Sequence, residues 1–232
     1  MVEMNQANSN VQIPQVKICG ITSPEAALAC VQLGADALGC VFFAKSPRNV
    51  SREQAREICA AVTGRVVTVG VFVNEPDERV VEIMTECGLS FVQLHGEETQ
   101  RTVDLLQNLG FSVIKALFAT RAPYIREASL YRASACLVEC GRGTLPGGNA
   151  ETWNWQAARE AGGTMPLILA GGLDSGNVAA AIKAAQPDAV DVSSGVETAP
   201  GIKNLKKVAA FLTAVRRSED CYPSGRTIRR VF

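Results

Sequence analysis

PLILAGGLDSGNVAAAIKAAQPDAVDVSSG, residues 166–195, holds two short apolar strands, PLILA (166–170) and AVDVS (189–193). Each runs straight into a glycine-bearing loop, Ala170-Gly171-Gly172-Leu173 after the first and Ser193-Ser194-Gly195 after the second. Glycines let backbone N–H groups come close to an anion, and a helix N-terminus behind them adds its dipole. One such loop is a weak signal. Two in succession, after the last two strands, match the phosphate grip that recurs behind strands seven and eight of a (β/α)8 barrel.

Working back toward the start, the same unit repeats. The other candidate strands are VKIC (16–19), ALGCVFF (37–43), VVTVGVF (66–72), SFVQL (90–94), SVIKALF (112–118) and ACLVE (135–139). Helix-like stretches such as SPEAALACVQLGA and SREQAREICAAV separate them, with Ser23, Ser51 and Asn74 where N-caps belong. Pro24 and Pro76 fall near first turns, and Gly34, Gly88 and Gly110 where helices stop. Eight strand–helix units in about 200 residues predict a closed parallel TIM barrel. A doubly wound open sheet is the other candidate, but no G-x-G-x-x-G follows the first strand. The expected organisation is a tail over 1–14, one barrel over 15–217, and a second tail over 218–232. The basic residues of SGRTIRR in that second tail are expected to be solvated.

Composition narrows the function. The chain of 232 residues has formal charge zero, which gives no pull toward nucleic acid or an acidic membrane surface. No apolar run approaches the roughly 20 residues that cross a bilayer. The polar first residues, MVEMNQANSNVQIPQ, lack the apolar stretch of a signal peptide. The eight cysteines are therefore expected as free thiols in a reducing, cytoplasmic setting. One histidine and no C-x2-C pair argue against a metal site.

In such barrels the chemistry sits at the carboxyl ends of the strands. The first strand ends in Cys19, whose thiolate has the chemistry to accept a proton from a sugar carbon. Counting by twos, Lys17 shares its interior face, and a closing eighth strand brings Asp191 to it. The charge of Lys17 is expected to favour the thiolate. Arg48, in the Pro47-braced loop after strand two, has the fork to hold a carboxylate or phosphate. Glu139 ends strand six on the face of Leu137, where a carboxylate needs a partner or a task. His95, just past strand four, is expected to act from behind the reacting groups.

These residues resemble a known family. VKICGIT (16–22), FFAKSPRNVS (42–51), FVQLHGEE (91–98), LAGGL (169–173) and VDVSSGVE (190–197) are similar, in order and spacing, to phosphoribosylanthranilate isomerase. The resemblance implies a barrel of the ribulose-phosphate-binding type and an aldose–ketose isomerase of tryptophan biosynthesis. The implied reaction is the Amadori rearrangement of N-(5′-phosphoribosyl)anthranilate to 1-(2-carboxyphenylamino)-1-deoxyribulose 5-phosphate, with no cofactor or metal expected. It implies Cys19 as base, Glu139 as acid, Arg48 on the anthranilate carboxylate and Asp191 as a positioning group. Gly171, Gly172, Ser193, Ser194 and Gly195 would form the phosphate site. The implied partner is a small phosphorylated substrate, bound by a monomer or homodimer. The family's acid is an aspartate, whereas this chain has Glu139, and Gly147-Gly148-Asn149-Ala150 departs from the family's Gly-Gly-Thr/Ser-Gly. Two other readings therefore stay open: a phosphosugar isomerase or lyase of altered substrate, and a non-catalytic phosphate-ligand-binding barrel.

Overall fold

The computed structural model describes residues 13–142, 152–163, 165–223 and 225–232. Eight parallel strands form a closed barrel in chain order, which settles the choice against an open sheet. They are β1 (Gln15–Cys19), β2 (Ala37–Phe42), β3 (Val67–Phe72), β4 (Phe91–Leu94), β5 (Ser112–Phe118), β6 (Ala135–Glu139), β7 (Leu167–Leu169) and β8 (Ala189–Val192). Every strand expected from the β-branched runs is present, with no end displaced by more than one residue and with β5 and β6 as expected. The ring closes where β1 pairs with β8, with Lys17 opposite Asp191.

Alternate residues of each strand point into the barrel, as the period of two requires. Ala37, Val69, Ile114, Ala116, Ala135, Leu137, Ile168 and Ala189 fill the interior. The opposite faces carry Ile18, Leu38, Val92, Val113, Leu117 and Val190, which pack against the surrounding helices.

The helices are α1 (Pro24–Leu33), α2 (Arg52–Val62), α3 (Asp77–Cys87), α4 (Gln100–Asn108), α5 (Val178–Ala185) and α6 (Leu205–Arg216). Ser23 caps α1 by accepting from the Ala26 N–H, and Ser51 forms a capping box with Gln54 on α2. Gly34 and Gly88 end α1 and α3 in the left-handed conformation, where a side chain would be strained. Asn74 is not a cap. It has φ 52°, and its side chain accepts from the Glu97 N–H, while α3 starts behind Pro76 with no side-chain cap bond. The crossovers after β5 and β6 contain only 3-10 turns among the described residues, Ile125–Leu130 and Trp155–Glu160, in place of the expected helices.

Residues 1–12 lie outside the described residues, so only the last two positions of the expected first tail are seen. The described residues of 218–232, expected as a tail whose basic residues are solvated, instead cross the amino end of the barrel. Asp188 is fully buried at the start of β8 and accepts from Arg226 at 3.0 Å and Arg229 at 2.7 Å. A buried carboxylate in that position demands counter-ions, and the basic segment supplies them. Beyond it, the side chain of Gln15 accepts from the N–H groups of Val231 and Phe232. The Phe232 ring is buried with the interior residues and meets Phe91 edge-on at 6.0 Å. It forms the floor of the barrel, opposite the mouth that carries the strand ends.

Candidate active site

At the mouth, Cys19 and Lys17 stand side by side on the interior face of β1. The Lys17 ammonium is fully buried and donates to Asp191 Oδ1 at 2.9 Å across the β1–β8 closure. Burial works against that ammonium, but the Asp191 carboxylate and the Cys19 sulfur more than offset it, so its proton is held more tightly than in water. For Cys19 the balance runs the other way. Burial pushes the thiol up, and Lys17 and Lys203 only partly counter this. Lys17 favours the thiolate in the direction expected of it, but dehydration of the sulfur outweighs the nearby charge. Gly39 of β2 makes the room, because a Cβ there would lie 2.8 Å from the Cys19 sulfur and 3.2 Å from the Lys17 nitrogen.

Arg48 lies buried over the β1–β8 seam, close to Gly20 and the Ser193 hydroxyl. Gly20 has φ 75°, so the turn itself favours glycine, and any side chain would also strike the Arg48 stem. Arg48 Nε and Nη2 fork onto the two oxygens of Glu197 at 2.9 and 2.7 Å. Lys203 approaches the same carboxylate at 2.6 Å. Burial alone would raise Glu197, but Arg48 and Lys203 more than compensate and hold its carboxyl low. Glu197 and Lys203 belong to a small antiparallel hairpin, β9 (Glu197–Ala199) and β10 (Ile202–Lys203), inserted between β8 and α6. Neither residue was singled out from the sequence, although Glu197 closes the quoted motif VDVSSGVE. The missing signal was the partner, 149 positions away.

Glu139 stands at the end of β6, on the interior face expected for it, and is buried. Its Oε1 lies 3.2 Å from His95 Nε2. With the Gln93 amide in this orientation, its Nε2 donates to His95 Nδ1 at 2.8 Å. The tautomer assigned from these contacts carries the proton on Nε2, so His95 donates to Glu139 and leaves Oε2 for other work. His95 is held in turn. Lys115 donates to the carbonyl of Gly96 and to Glu98 at 2.8 Å each, while Glu98 accepts from the Gly96 N–H. Phe118, opposite Glu139 in the β5–β6 register, presents its ring to His95 at 5.5 Å.

The two glycine loops flank this group. Gly171 and Gly172 have φ 86° and 69°, and a Cβ on Gly171 would sit 3.3 Å from Glu139 Cβ. Trp153 and Trp155 donate to the carbonyls of Ala170 and Gly171, fixing the loop from outside. Among the described residues the N–H groups of Gly171 and Gly172 have no acceptor. Gly195 passes so close to the Leu173 carbonyl that a Cβ would collide with it, so the two loops touch. The Ser193 hydroxyl donates to the Cys19 carbonyl at 3.0 Å, and a 3-10 turn, Ser194–Val196, follows. The long helix α6 starts only after the hairpin, not directly behind the second loop.

The structure thus gathers Cys19, Arg48, Asp191 and Ser193 on the β1–β8 side and Glu139 with Gly171 on the β6–β7 side. The departure at Gly147-Gly148-Asn149-Ala150 lies outside the described residues.

Comparison with known proteins gives the family and agrees with the barrel fold. A family model described as N-(5′-phosphoribosyl)anthranilate (PRA) isomerase matches residues 16–214. A relative of that name from Desulfatibacillum aliphaticivorans is 50% identical over 219 residues, covering 94% of this chain and 98% of its own. The crystal structure of phosphoribosyl anthranilate isomerase from Thermotoga maritima superposes with a TM-score of 0.82 at 37% identity, covering 88% of this chain and all of the other. A further isomerase structure, in complex with reduced 1-(o-carboxyphenylamino)-1-deoxyribulose 5-phosphate, gives 0.79 at 36% identity, with coverage of 88% and 100%. On sequence and structure together, this chain belongs to the N-(5′-phosphoribosyl)anthranilate isomerase family.

Proposed function

We propose that the chain converts N-(5′-phosphoribosyl)anthranilate to 1-(2-carboxyphenylamino)-1-deoxyribulose 5-phosphate, the isomerase step of tryptophan biosynthesis, with Glu139 as acid and Cys19 as base. The observation that carries these roles is the placement of one carboxyl group and one thiol, on β6 and β1, at the same mouth beside two loops shaped for an anion. Glu139 gives a proton to the furanose ring oxygen, and the ring opens as the C1′–nitrogen bond becomes a Schiff base. The Cys19 sulfur takes the proton from C2′, and the electron pair moves to the C1′–C2′ bond and onto nitrogen. The enolamine then gains a proton at C1′ and loses its hydroxyl proton, leaving the C2′ ketone.

The remaining residues bind and orient. Backbone N–H groups of Gly171, Gly172, Ser194 and Gly195 hold the phosphate, with Ser193 fixing the second loop to β1. Arg48, anchored by Glu197 through Nε and Nη2, keeps Nη1 for the carboxylate of the aromatic ring. Asp191 positions the substrate while holding Lys17 beside the sulfur. Eight free thiols fit a cytoplasmic setting, and no described helix is long and apolar enough to cross a membrane.

The test is growth of a tryptophan auxotroph lacking this isomerase, with loss of substrate fluorescence followed in vitro. Complementation and turnover are expected. A purified, folded chain that leaves the substrate unchanged while a control isomerase consumes it would overturn the reading.

A further inference from the structure

Four cations near the mouth each touch a carboxylate: Lys17 with Asp191, Arg48 and Lys203 with Glu197, and Lys115 with Glu98. Arg121, three residues past the end of β5, makes no such pair among the described residues. Its guanidinium carbon lies 3.3 Å from the centre of the Phe118 ring, a stacked contact that removes one face from water. Nη1 donates to the Ala122 carbonyl at 3.2 Å, and Nη2 is buried with no acceptor among the described residues. Gly141 makes this posture possible. It has φ 79°, and a Cβ there would stand 2.7 Å from Phe118 Cβ and 3.1 Å from Arg121 Cγ. Arg121 is thus pressed against the strand end that carries Glu139, on the same aromatic ring that meets His95 edge-on. Burial draws its guanidinium down, and the carboxylate of Glu139 works in the opposite direction.

A buried donor on a cation without an acceptor is costly unless a ligand completes it. The substrate read for this site carries two anionic groups. Its phosphate belongs to the loops after β7 and β8. Its second anion is the carboxylate on the aromatic ring, and Arg48 reaches it from the β1–β8 side with one free nitrogen. We propose that Arg121 is a specificity-determining residue, whose Nη2 donates to that aromatic carboxylate from the β5–β6 side. This rests on the substrate reading above.

The experiment compares the parent with Arg121→Gln and Arg121→Lys in steady-state kinetics. Binding is then measured by calorimetry for two stable ligands, reduced 1-(o-carboxyphenylamino)-1-deoxyribulose 5-phosphate and its anilino counterpart without the carboxylate. Arg121→Gln should raise KM and weaken the carboxylated ligand by about 10- to 100-fold, the range for one hydrogen bond to a charged group. Its kcat should stay within about threefold, and Arg121→Lys should fall between parent and glutamine. The ligand without the carboxylate should bind parent and variants equally. Equal losses for both ligands would overturn the proposal, as would no loss for either. Thermal melts report whether the variants are folded. A parent that binds both ligands but turns nothing over would sink the functional reading and leave the Arg121 comparison valid.

Discussion

At the scale of single residues, the site depends on who is allowed next to the Cys19 sulfur. Gly39 has ordinary backbone angles, so its importance is space rather than conformation. Gly39→Ala would drive a methyl group into the sulfur and the Lys17 nitrogen, 2.8 and 3.2 Å from the new carbon. A misplacement near 1 Å costs roughly a hundredfold in rate, so kcat should fall by about that factor while the fold survives, as judged by melting and by phosphate-ligand affinity. A parent-like kcat in Gly39→Ala would show that the sulfur position is not critical. The second prediction concerns ionisation. A base must be deprotonated to act, and burial pushes Cys19 above the ordinary thiol value of about 8.5. kcat/KM should therefore climb through neutrality and keep rising past pH 8.5, and iodoacetamide should alkylate Cys19 slowly at pH 7. A profile already flat below pH 7 would assign the base elsewhere. Cys19, Glu139 and Asp191 were legible from the sequence because strand ends and the count by twos locate interior residues. Gly39 and Arg121 were not, since a gap or a stacked guanidinium exists only once neighbouring strands meet.

At the scale of elements, the hairpin β9–β10 is the device that readies Arg48. It delivers Glu197 to the Arg48 guanidinium with Lys203 on the same carboxylate, and the lowered carboxyl of Glu197 has a direct consequence in pH. A carboxyl held below its unfolded value stabilises the fold fully above about pH 4.3 and loses that contribution as pH falls through the folded value. The parent should accordingly lose melting temperature more steeply between pH 5 and 3 than Glu197→Gln does. At pH 7, Glu197→Gln leaves two buried cations short of a counter-ion. The cost should be about 3 kcal/mol, or roughly 6–12 °C in Tm for a domain of this size. Parallel pH curves for parent and variant would remove Glu197 as the source. The strands were readable as β-branched runs bounded by glycine and proline. The hairpin was hidden because two and three residues of strand leave no periodic signature. Asn74 misled for a related reason, since a residue suited to capping is equally suited to the left-handed turn it occupies.

At the scale of the whole molecule, chemistry and stability occupy opposite ends of the barrel. The floor is tied to Gln15, Asp188 and Phe91 at the amino end of the barrel, away from the strand ends that carry the candidate site. Phe232→Ala should therefore cost about 3 kcal/mol, the low end for a buried phenylalanine, with KM for the substrate unchanged. A shift in KM with no loss of melting temperature would contradict that separation. The segment reads as polar and basic, and the buried Asp188, the Gln15 side chain and the pocket for the Phe232 ring explain why such a sequence lies against the protein. The ion pair that closes the ring has a consequence for how the chain is made. Lys17 emerges from the ribosome 174 residues ahead of Asp191, the carboxylate that lets it leave water. At about 5–20 residues per second, that is roughly 10–35 s of synthesis. Through that interval Lys17 lacks its counter-ion, so the first strand has every reason to stay hydrated. The arrival of the eighth strand is what lets the first leave water.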